Sequence, residues 1–231
     1  MRSEASGHWL HGVRQVPSPN FGPRPDATDI SLIVVHSISL PPGCFGGDEI
    51  EALFCNRLDW DAHPYFQSIR GMEVSAHFLV RRDGTVLQFV ACDQRAWHAG
   101  RSHWAGRDNC NDFSIGIELE GLEGGTFEPA QYAALAELCQ RLARRYPIRQ
   151  VVGHEHVAPG RKADPGGRVT GVASLPAVGI AGIQAGRRAL VAPDLPGRAD
   201  LGARRMHGPG TGPGNAVAVG DADDQAFFAS Q

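Results

Sequence analysis

The sequence predicts an α/β fold in which helices flank a mixed central β-sheet. Three observations lead to this prediction: a β-branched apolar run at residues 30–35, a hairpin signal at Asp83-Gly84, and leucines at helical spacing after Pro129. Strand-like and helix-like segments alternate in this way along residues 30–152. Such alternation favours a sheet with helices packed on it, and a functional site where loops meet at the strand ends.

The first half of the chain predicts a strand, a helix and a hairpin. Residues 30–35, ISLIVV, are typical of a buried strand because turn-forming residues bound a β-branched apolar run, and His36 follows it directly. The segment GGDEIEALFCNRL predicts a short helix with Asp48 as N-cap and Glu51 completing a capping box. Asp83-Gly84 lies between two strand-like runs, which indicates a tight hairpin.

The second half predicts a strand, a longer helix and a further strand. In FSIGIELE every second residue from Phe113 to Leu119 is apolar, so one face should join the core while the other lines a cleft. From Pro129, leucines and a tyrosine repeat at helical spacing until Pro147 ends the pattern. Residues 148–152 then indicate a short strand that leads into His154.

The composition excludes several classes of protein. A formal charge of -3 over 231 residues gives no basic surface for nucleic acid or for an anionic membrane. The N-terminus lacks the apolar segment of a signal peptide, and no run approaches the roughly 20 apolar residues of a membrane span. We therefore expect a cytoplasmic protein, and a monomer. The five cysteines form no CxxC pair, so we expect them to be reduced rather than to form disulfides or a zinc site.

Three side chains are candidates for holding a metal ion: His36, His154 and Asp164. A catalytic zinc site typically has three protein ligands and keeps a fourth position for water. His36 and His154 each follow a predicted strand, and Asp164 lies in a Gly/Pro-containing loop that can fold back toward them. The alternative is that His36 is a hydrogen-bonded core histidine and His154 an ordinary loop residue. Four other histidines compete as ligands: His77, His98, His103 and His156.

Two charged side chains are candidates for the chemistry itself. Glu118 lies on the non-core face of its predicted strand, where a glutamate can deprotonate a metal-bound water if it faces a cleft, or merely solubilise the protein if it faces solvent. Lys162 belongs to the same loop as Asp164 and would stabilise an oxyanion, unless it is an ordinary solvated lysine. The chain contains no G-x-S-x-G, H-E-x-x-H, Walker or G-x-G-x-x-G motif, so the corresponding activities lack a basis in the sequence.

Five motifs, taken together, resemble a known family. In chain order they are VVHSISLPPGCFGG, VSAHFLVRRDGTVLQFV, RAWHAG, CNDFSIGIELEG and GHEHVAPGRKADPG. They are similar to those of the AmpD-type N-acetylmuramoyl-L-alanine amidases, which belong to the type-2 amidase and peptidoglycan-recognition superfamily. The resemblance covers about residues 9–166 and implies the fold of that superfamily, with a zinc site at the strand ends.

The resemblance implies a function and assigns roles to residues. A zinc ion would be held by His36, His154 and Asp164, with Glu118 as the catalytic glutamate and Lys162 as the loop cation. The reaction implied is hydrolysis of the amide between N-acetylmuramic or 1,6-anhydro-N-acetylmuramic acid and L-alanine of the stem peptide, in cytoplasmic recycling of cell-wall muropeptides. The alternative from the same superfamily is a non-catalytic module that binds or senses peptidoglycan fragments.

The composition changes abruptly after Gly166. Residues 167–231 are rich in Gly, Ala, Pro and Arg and contain few large apolar side chains. We therefore expect a zinc amidase domain over residues 1–166 and a disordered or loosely helical tail over residues 167–231. An abrupt change directly after an intact motif suggests the hypothesis that the tail is a frame-shifted C-terminus, which resequencing of the coding DNA would test.

Overall fold

The structure of the protein is a computed structural model that describes residues 8–166 and the backbone of residues 173–174. The predicted tail, residues 167–231, lies outside the described residues apart from that backbone segment. The division into a domain and a tail therefore stays a prediction.

Strands and short helices alternate along the described part of the chain. The strands are β1 (Arg14–Gln15), β2 (Phe21–Pro23), β3 (Leu32–Ile38), β4 (Phe78–Val80), β5 (Val86–Gln88), β6 (Gln94–Ala96), β7 (His103–Trp104), β8 (Arg107–Asp108), β9 (Ser114–Glu120), β10 (Gln150–Gly153) and β11 (Ala173–Ser174). The helices are α1 (Glu49–Phe54), α2 (Pro64–Ser68), α3 (Pro129–Ala143) and α4 (His154–Val157), with a 3-10 turn at Cys110–Asp112.

A seven-stranded mixed sheet forms the centre of the fold, in the order β1-β5-β4-β9-β3-β10-β11. The four strands β4, β9, β3 and β10 are mutually parallel, so their carboxyl ends meet at one edge of the sheet. The pairs β4–β5 and β10–β11 are antiparallel. The predicted α/β class with a mixed sheet is confirmed.

Hydrophobic clusters cover both faces of the sheet. On one face, the odd-numbered apolar residues of β3 and β9 pack against the leucines of α3. On the other face, α1 and α2 pack over β4 and β5, and a smaller cluster lies around α4. His36 falls between Val34 of the small cluster and Ile38 of the α1–α2 cluster. The sheet therefore holds this histidine rigidly at a junction between two packed regions.

Several predicted elements are present as expected. The hairpin at Asp83-Gly84 joins the antiparallel strands β4 and β5, and Gly84 has the positive φ of 86° that its turn requires. The helix from Pro129 runs to Ala143, and the side chain of Gln131 accepts a hydrogen bond from the Glu128 backbone N–H at 3.0 Å to cap it.

Three local predictions are wrong. Asp48 is the N-cap residue of α1 as predicted, but its side chain makes no capping hydrogen bond. The buried Glu51 pairs with Arg14 and Arg81 instead of completing a capping box. Strand β3 continues to Ile38, so His36 lies inside the strand rather than after it. Phe113 precedes β9 and packs in the small cluster around α4, not on the face that α3 covers.

Candidate metal centre

The candidate ligands meet at the carboxyl edge of the parallel strands. His36 of β3 lies directly opposite Glu118 of β9 in the strand pairing. Gly153, the last residue of β10, lies opposite Val35, so the next residue, His154, comes beside His36. Carboxyl ends of parallel strands are where ligand sites form in open α/β sheets.

The loop that follows α4 brings Asp164 to the two histidines. The Glu155 backbone N–H donates to the Asp164 carbonyl oxygen at 2.9 Å, and the Gly166 N–H donates to Glu155 Oε2 at 3.1 Å. Gly166 also approaches the backbone of Gly124 closely, and the Gly124 N–H donates to the Pro165 carbonyl at 3.2 Å. These contacts hold the loop against the domain.

Three ligand atoms converge on one point. His36 Nδ1 lies 3.0 Å from His154 Nδ1, and Asp164 Oδ2 lies 3.4 Å from the first nitrogen and 3.2 Å from the second. All three side chains are buried. Among the described residues, this is the group of three histidine, cysteine or acidic side chains whose geometry could hold a metal ion.

The electrostatics favour, for His154 and Asp164, the forms that bind a metal ion. Burial lowers the pKa of His154, although Asp164 opposes this effect, so the imidazole favours its neutral form. Burial would by itself raise the pKa of Asp164, but the influence of His154 and His36, whose Nδ1 atoms lie 3.2 and 3.4 Å from Oδ2, holds it well below its usual range. A neutral histidine and a charged carboxylate are the ligand forms that bind metal ions.

Glu118 lies beside the triad, and one of its carboxylate oxygens is unsatisfied among the described residues. The side chain is buried, and its Oε2 has no hydrogen-bond partner within the described part of the chain. Burial raises the pKa of Glu118 to about 7; His36 and Lys162 lower it, and Asp164 raises it further. A buried carboxyl with a pKa near neutrality is suited to taking up and releasing a proton.

Lys162 lies close enough for its charge to act on the site. It follows α4, where its backbone N–H donates to the Ala158 carbonyl at 3.0 Å. Its positive charge lowers the pKa of Glu118 and of His154, although burial is the larger influence on both. The structure thus brings all five candidate residues to one region.

The other histidines take different roles. His103 is exposed beside Asp108, and His156 accepts a hydrogen bond from the Gly153 N–H at 3.0 Å. His77 is fully buried and accepts from the Gly116 N–H at 3.0 Å. His98, however, lies with its Nδ1 2.9 Å from His36 Nε2.

Sequence reasoning missed a second group of residues around the two histidines. His98 was considered only as a rival ligand, and Asn111 and the Ala99 carbonyl were not considered at all. The Asn111 side chain is fully buried and bonded to the backbone of residues 98 and 99. The available signal was the pair of motifs RAWHAG and CNDFSIG, whose polar residues have no evident role in a core.

Comparison with known proteins defines the class to which this site belongs. The family model Amidase_2, described as N-acetylmuramoyl-L-alanine amidase, matches residues 26–167. The chain therefore belongs to the N-acetylmuramoyl-L-alanine amidase family, and it is a hydrolase. The predicted membership of this family is confirmed.

Individual members of the family with high sequence identity to this chain are AmpD proteins. The chain is 54% identical over 160 residues to the 1,6-anhydro-N-acetylmuramyl-L-alanine amidase AmpD of Citrobacter freundii. The aligned region covers 68% of this chain and 86% of that protein. It is 52% identical over the same length to AmpD of Escherichia coli strain K12, covering 68% of this chain and 87% of that protein. A crystal structure of a Se-Met AmpD derivative superposes with a TM-score of 0.68 at 49% identity, covering 80% of this chain and 97% of that one.

Proposed function

We propose that this chain uses a zinc ion to hydrolyse the amide bond between 1,6-anhydro-N-acetylmuramic acid and the L-alanine of a stem peptide, in the recycling of cell-wall muropeptides. The observation that carries the proposal is the convergence of His36, His154 and Asp164 beside Glu118, whose Oε2 has no hydrogen-bond partner among the described residues. The substrate class is supported by the two AmpD relatives, each called a 1,6-anhydro-N-acetylmuramyl-L-alanine amidase.

The donor set of the triad fits zinc. Imidazole nitrogens and a carboxylate oxygen are common zinc ligands, and in a tetrahedral site they lie roughly 3.3 Å apart. The corresponding separations here are 3.0, 3.2 and 3.4 Å. Three protein ligands also leave a fourth position for water or substrate, as catalytic zinc sites require. When bound, zinc supplies Lewis-acid polarisation of the amide carbonyl and lowers the pKa of water to about 7.

Glu118 is the proton carrier in this proposal. The carboxylate accepts a proton from the attacking water and later donates it to the departing amine nitrogen. In the metal-free site, burial already raises the pKa of this group to about 7. The free Oε2 needs no existing hydrogen bond to be broken before it accepts that proton. The same group thus acts as base in the first half of the reaction and as acid in the second.

Lys162 stabilises negative charge on the substrate carbonyl oxygen in this proposal. Its ammonium group carries positive charge on the loop between α4 and Asp164, and that charge already acts electrostatically on Glu118 and His154. A cation placed in advance where charge develops lowers the barrier because it needs no reorganisation during the reaction.

The proposal further assigns the enzyme to the cytoplasm, as a monomer that acts on small muropeptides rather than on nucleic acid or membranes. The resemblance of its motifs to the cytoplasmic AmpD-type amidases supports the location. Among the described residues, no helix has the length and apolar character needed to cross a membrane. Light scattering during gel filtration tests the oligomeric state.

The decisive experiment is mass spectrometry of the purified protein with anhydro-muramyl tripeptide, as isolated, after chelation and after zinc is restored. We expect free tripeptide that disappears with chelation and returns with zinc but not with magnesium. In ¹⁸O-labelled water the label should enter the lactyl carboxylate, because the amide carbonyl is the group attacked. A folded, zinc-loaded protein that binds the muropeptide without cleaving it would instead support the binding module.

A further inference from the structure

We propose that residues 98–99, the orienting segment, hold both ligand histidines with Nδ1 directed at the metal, so that His98 and the Ala99 carbonyl are positioning groups for the site. This inference rests on the proposed function, because it assigns a purpose to these groups only if the triad binds a metal ion. It concerns the residues that bond to the Nε2 atoms of the two ligand histidines, not the ligands themselves.

The bond to His154 selects one tautomer. His154 Nε2 lies 3.2 Å from the Ala99 carbonyl oxygen. A carbonyl oxygen only accepts hydrogen bonds, so Nε2 must carry the proton, and the lone pair of neutral His154 is then on Nδ1. That is the nitrogen that faces His36 and Asp164.

A relay through His98 supports the other histidine from the side away from the triad. His36 Nε2 lies 2.9 Å from His98 Nδ1, and His98 Nε2 lies 3.2 Å from Ser114 Oγ. When Nδ1 of His36 binds a metal ion, its Nε2–H donates to His98 Nδ1, and His98 Nε2–H donates to the serine hydroxyl. Partners of this kind on the far side of a ligating histidine set the ring orientation and raise its basicity.

Two side chains hold the orienting segment in place. Asn111 Oδ1 accepts hydrogen bonds from the backbone N–H groups of His98 and Ala99, at 3.2 and 2.9 Å. Arg161 donates to the same Ala99 carbonyl at 2.9 Å and to the Arg101 carbonyl at 2.8 Å. The segment is therefore tied both to the turn before β9 and to the loop that carries Asp164.

Glycine at position 116 makes room for His98. A Cβ atom at this position would lie 2.4 Å from Cγ of the His98 ring, closer than real Cβ atoms come to a ring. Gly116 lies two residues before Glu118 on β9, on the face of the strand toward the site. The motifs RAWHAG and CNDFSIGIE thus meet in one structure that supports the two histidines.

The test measures zinc affinity rather than activity alone. We would determine the zinc dissociation constant of the full-length protein by competition with a chelator, for the native chain and for His98→Leu and His98→Gln. We expect His98→Leu to weaken zinc binding roughly 10- to 100-fold, the range seen when partners of ligating residues are lost. His98→Gln should recover most of that loss, because its amide oxygen can accept from His36 and its amide nitrogen can donate to Ser114.

Control variants separate positioning from general stability. Glu120→Gln alters a buried glutamate that is bonded to Gly46, Arg81 and Arg82 and not to the orienting segment, so we expect lower stability of the metal-free protein with an unchanged zinc affinity. If His98→Leu does not fold, Ser114→Ala removes only the far end of the relay and should weaken zinc binding a few-fold. Long-range nitrogen–proton NMR spectra of the zinc-loaded native protein should show both ligand histidines protonated at Nε2.

Each outcome has a distinct meaning. Unchanged zinc affinity in His98→Leu, or a zinc-loaded native protein with His36 protonated at Nδ1, overturns this inference and leaves the proposed reaction standing. Weakened zinc binding in His98→Leu together with no amide cleavage by the native protein supports the inference and overturns the reaction. Absence of zinc binding by the native protein overturns both.

Discussion

Replacing Glu118 with glutamine should abolish most of the activity while leaving the fold intact. The amide has nearly the shape of the carboxyl group but cannot accept a proton from water. Loss of a positioned general base typically lowers the rate 100- to 10,000-fold, or roughly 3 to 5 kcal/mol of activation free energy. We expect the loss in kcat at saturating substrate and zinc, with little change in zinc affinity.

The same substitution should stabilise the metal-free protein at alkaline pH. Burial raises the pKa of Glu118 from 4.5 to about 7, so the folded state holds a proton that the unfolded chain releases between these values. Stability contributed by this group is therefore present below pH 4.5 and is lost as pH rises through 7. At about 1.4 kcal/mol per pH unit, the cost at pH 8 is roughly 3 kcal/mol, and a neutral glutamine avoids it.

Glu120 provides a matched control on the same strand and the same face. Its carboxylate is also buried, but it accepts hydrogen bonds from the Gly46 N–H, Arg81 Nη1 and the Arg82 N–H. Glu120→Gln should therefore lower the free energy of unfolding by about 2 kcal/mol or more, since it weakens charged hydrogen bonds in a buried site.

The assay is urea unfolding of metal-free native protein, Glu118→Gln and Glu120→Gln at pH 5 and pH 8, beside kcat of the zinc-loaded forms. A Glu118→Gln protein that is less stable than native at pH 8 would refute the argument that the carboxylate is held unpaired at a cost. A variant that keeps native kcat would refute its role as the base.

Three further predictions follow from the described contacts. Lys162→Met should lower kcat roughly 100- to 1,000-fold without changing zinc affinity, as loss of an oxyanion-stabilising group does. An unchanged kcat would show that Lys162 has no part in the reaction. Leu142→Ala removes a fully buried side chain of α3 and should cost roughly 2 to 5 kcal/mol of unfolding free energy in urea, with kcat of the folded enzyme retained. Burial, together with the charge of Arg24, lowers the pKa of His77 well below 6.5. As pH falls, this histidine is therefore protonated in the unfolded chain before it is protonated in the folded protein. The contribution of His77 to the stability of the metal-free protein should therefore decline below pH 6.5. The change in unfolding free energy from pH 7.5 to pH 5.5 should be less destabilising in His77→Gln than in the native protein.

The fold was predictable where short-range patterns carry it. Helix α3 follows from leucines at helical spacing after a proline, and the β4–β5 hairpin follows from Asp83-Gly84. The capping box at Asp48 failed because Glu51 pairs with arginines distant in the sequence, at positions 14 and 81. A local rule cannot anticipate a partner that only the tertiary fold brings near.

The candidate site was predictable only in part for the same reason. His36, His154 and Asp164 were each ambiguous alone, and a run of motifs in a fixed order was needed to select them. The orienting segment was not predicted, because its main contribution to His154 is a backbone carbonyl, and any residue type has one. Asn111 likewise bonds to the backbone N–H groups of residues 98 and 99, and a sequence pattern does not identify such backbone partners.

Glu118 and Glu120 show how surroundings, rather than residue type, decide function at this edge of the sheet. Both are buried glutamates on one face of β9, two residues apart. Hydrogen-bond donors from the loop around Gly46 and from Arg81 and Arg82 satisfy Glu120, which makes it a structural anchor. No equivalent donor within the described residues reaches Oε2 of Glu118. In the proposed reaction, this oxygen is the one that takes up the proton of the attacking water.

The support of the third ligand bears on the hypothesis of a frame-shifted tail. Asp164 is held through Glu155, whose N–H donates to its carbonyl and whose carboxylate accepts from the Gly166 N–H. Gly124 adds a hydrogen bond to the Pro165 carbonyl. These contacts all lie within residues 8–166, so a changed sequence after that point would not remove them directly. A changed sequence after residue 166 should therefore leave the zinc affinity of the folded protein unchanged, and zinc titration of a chain cut after that residue would test this.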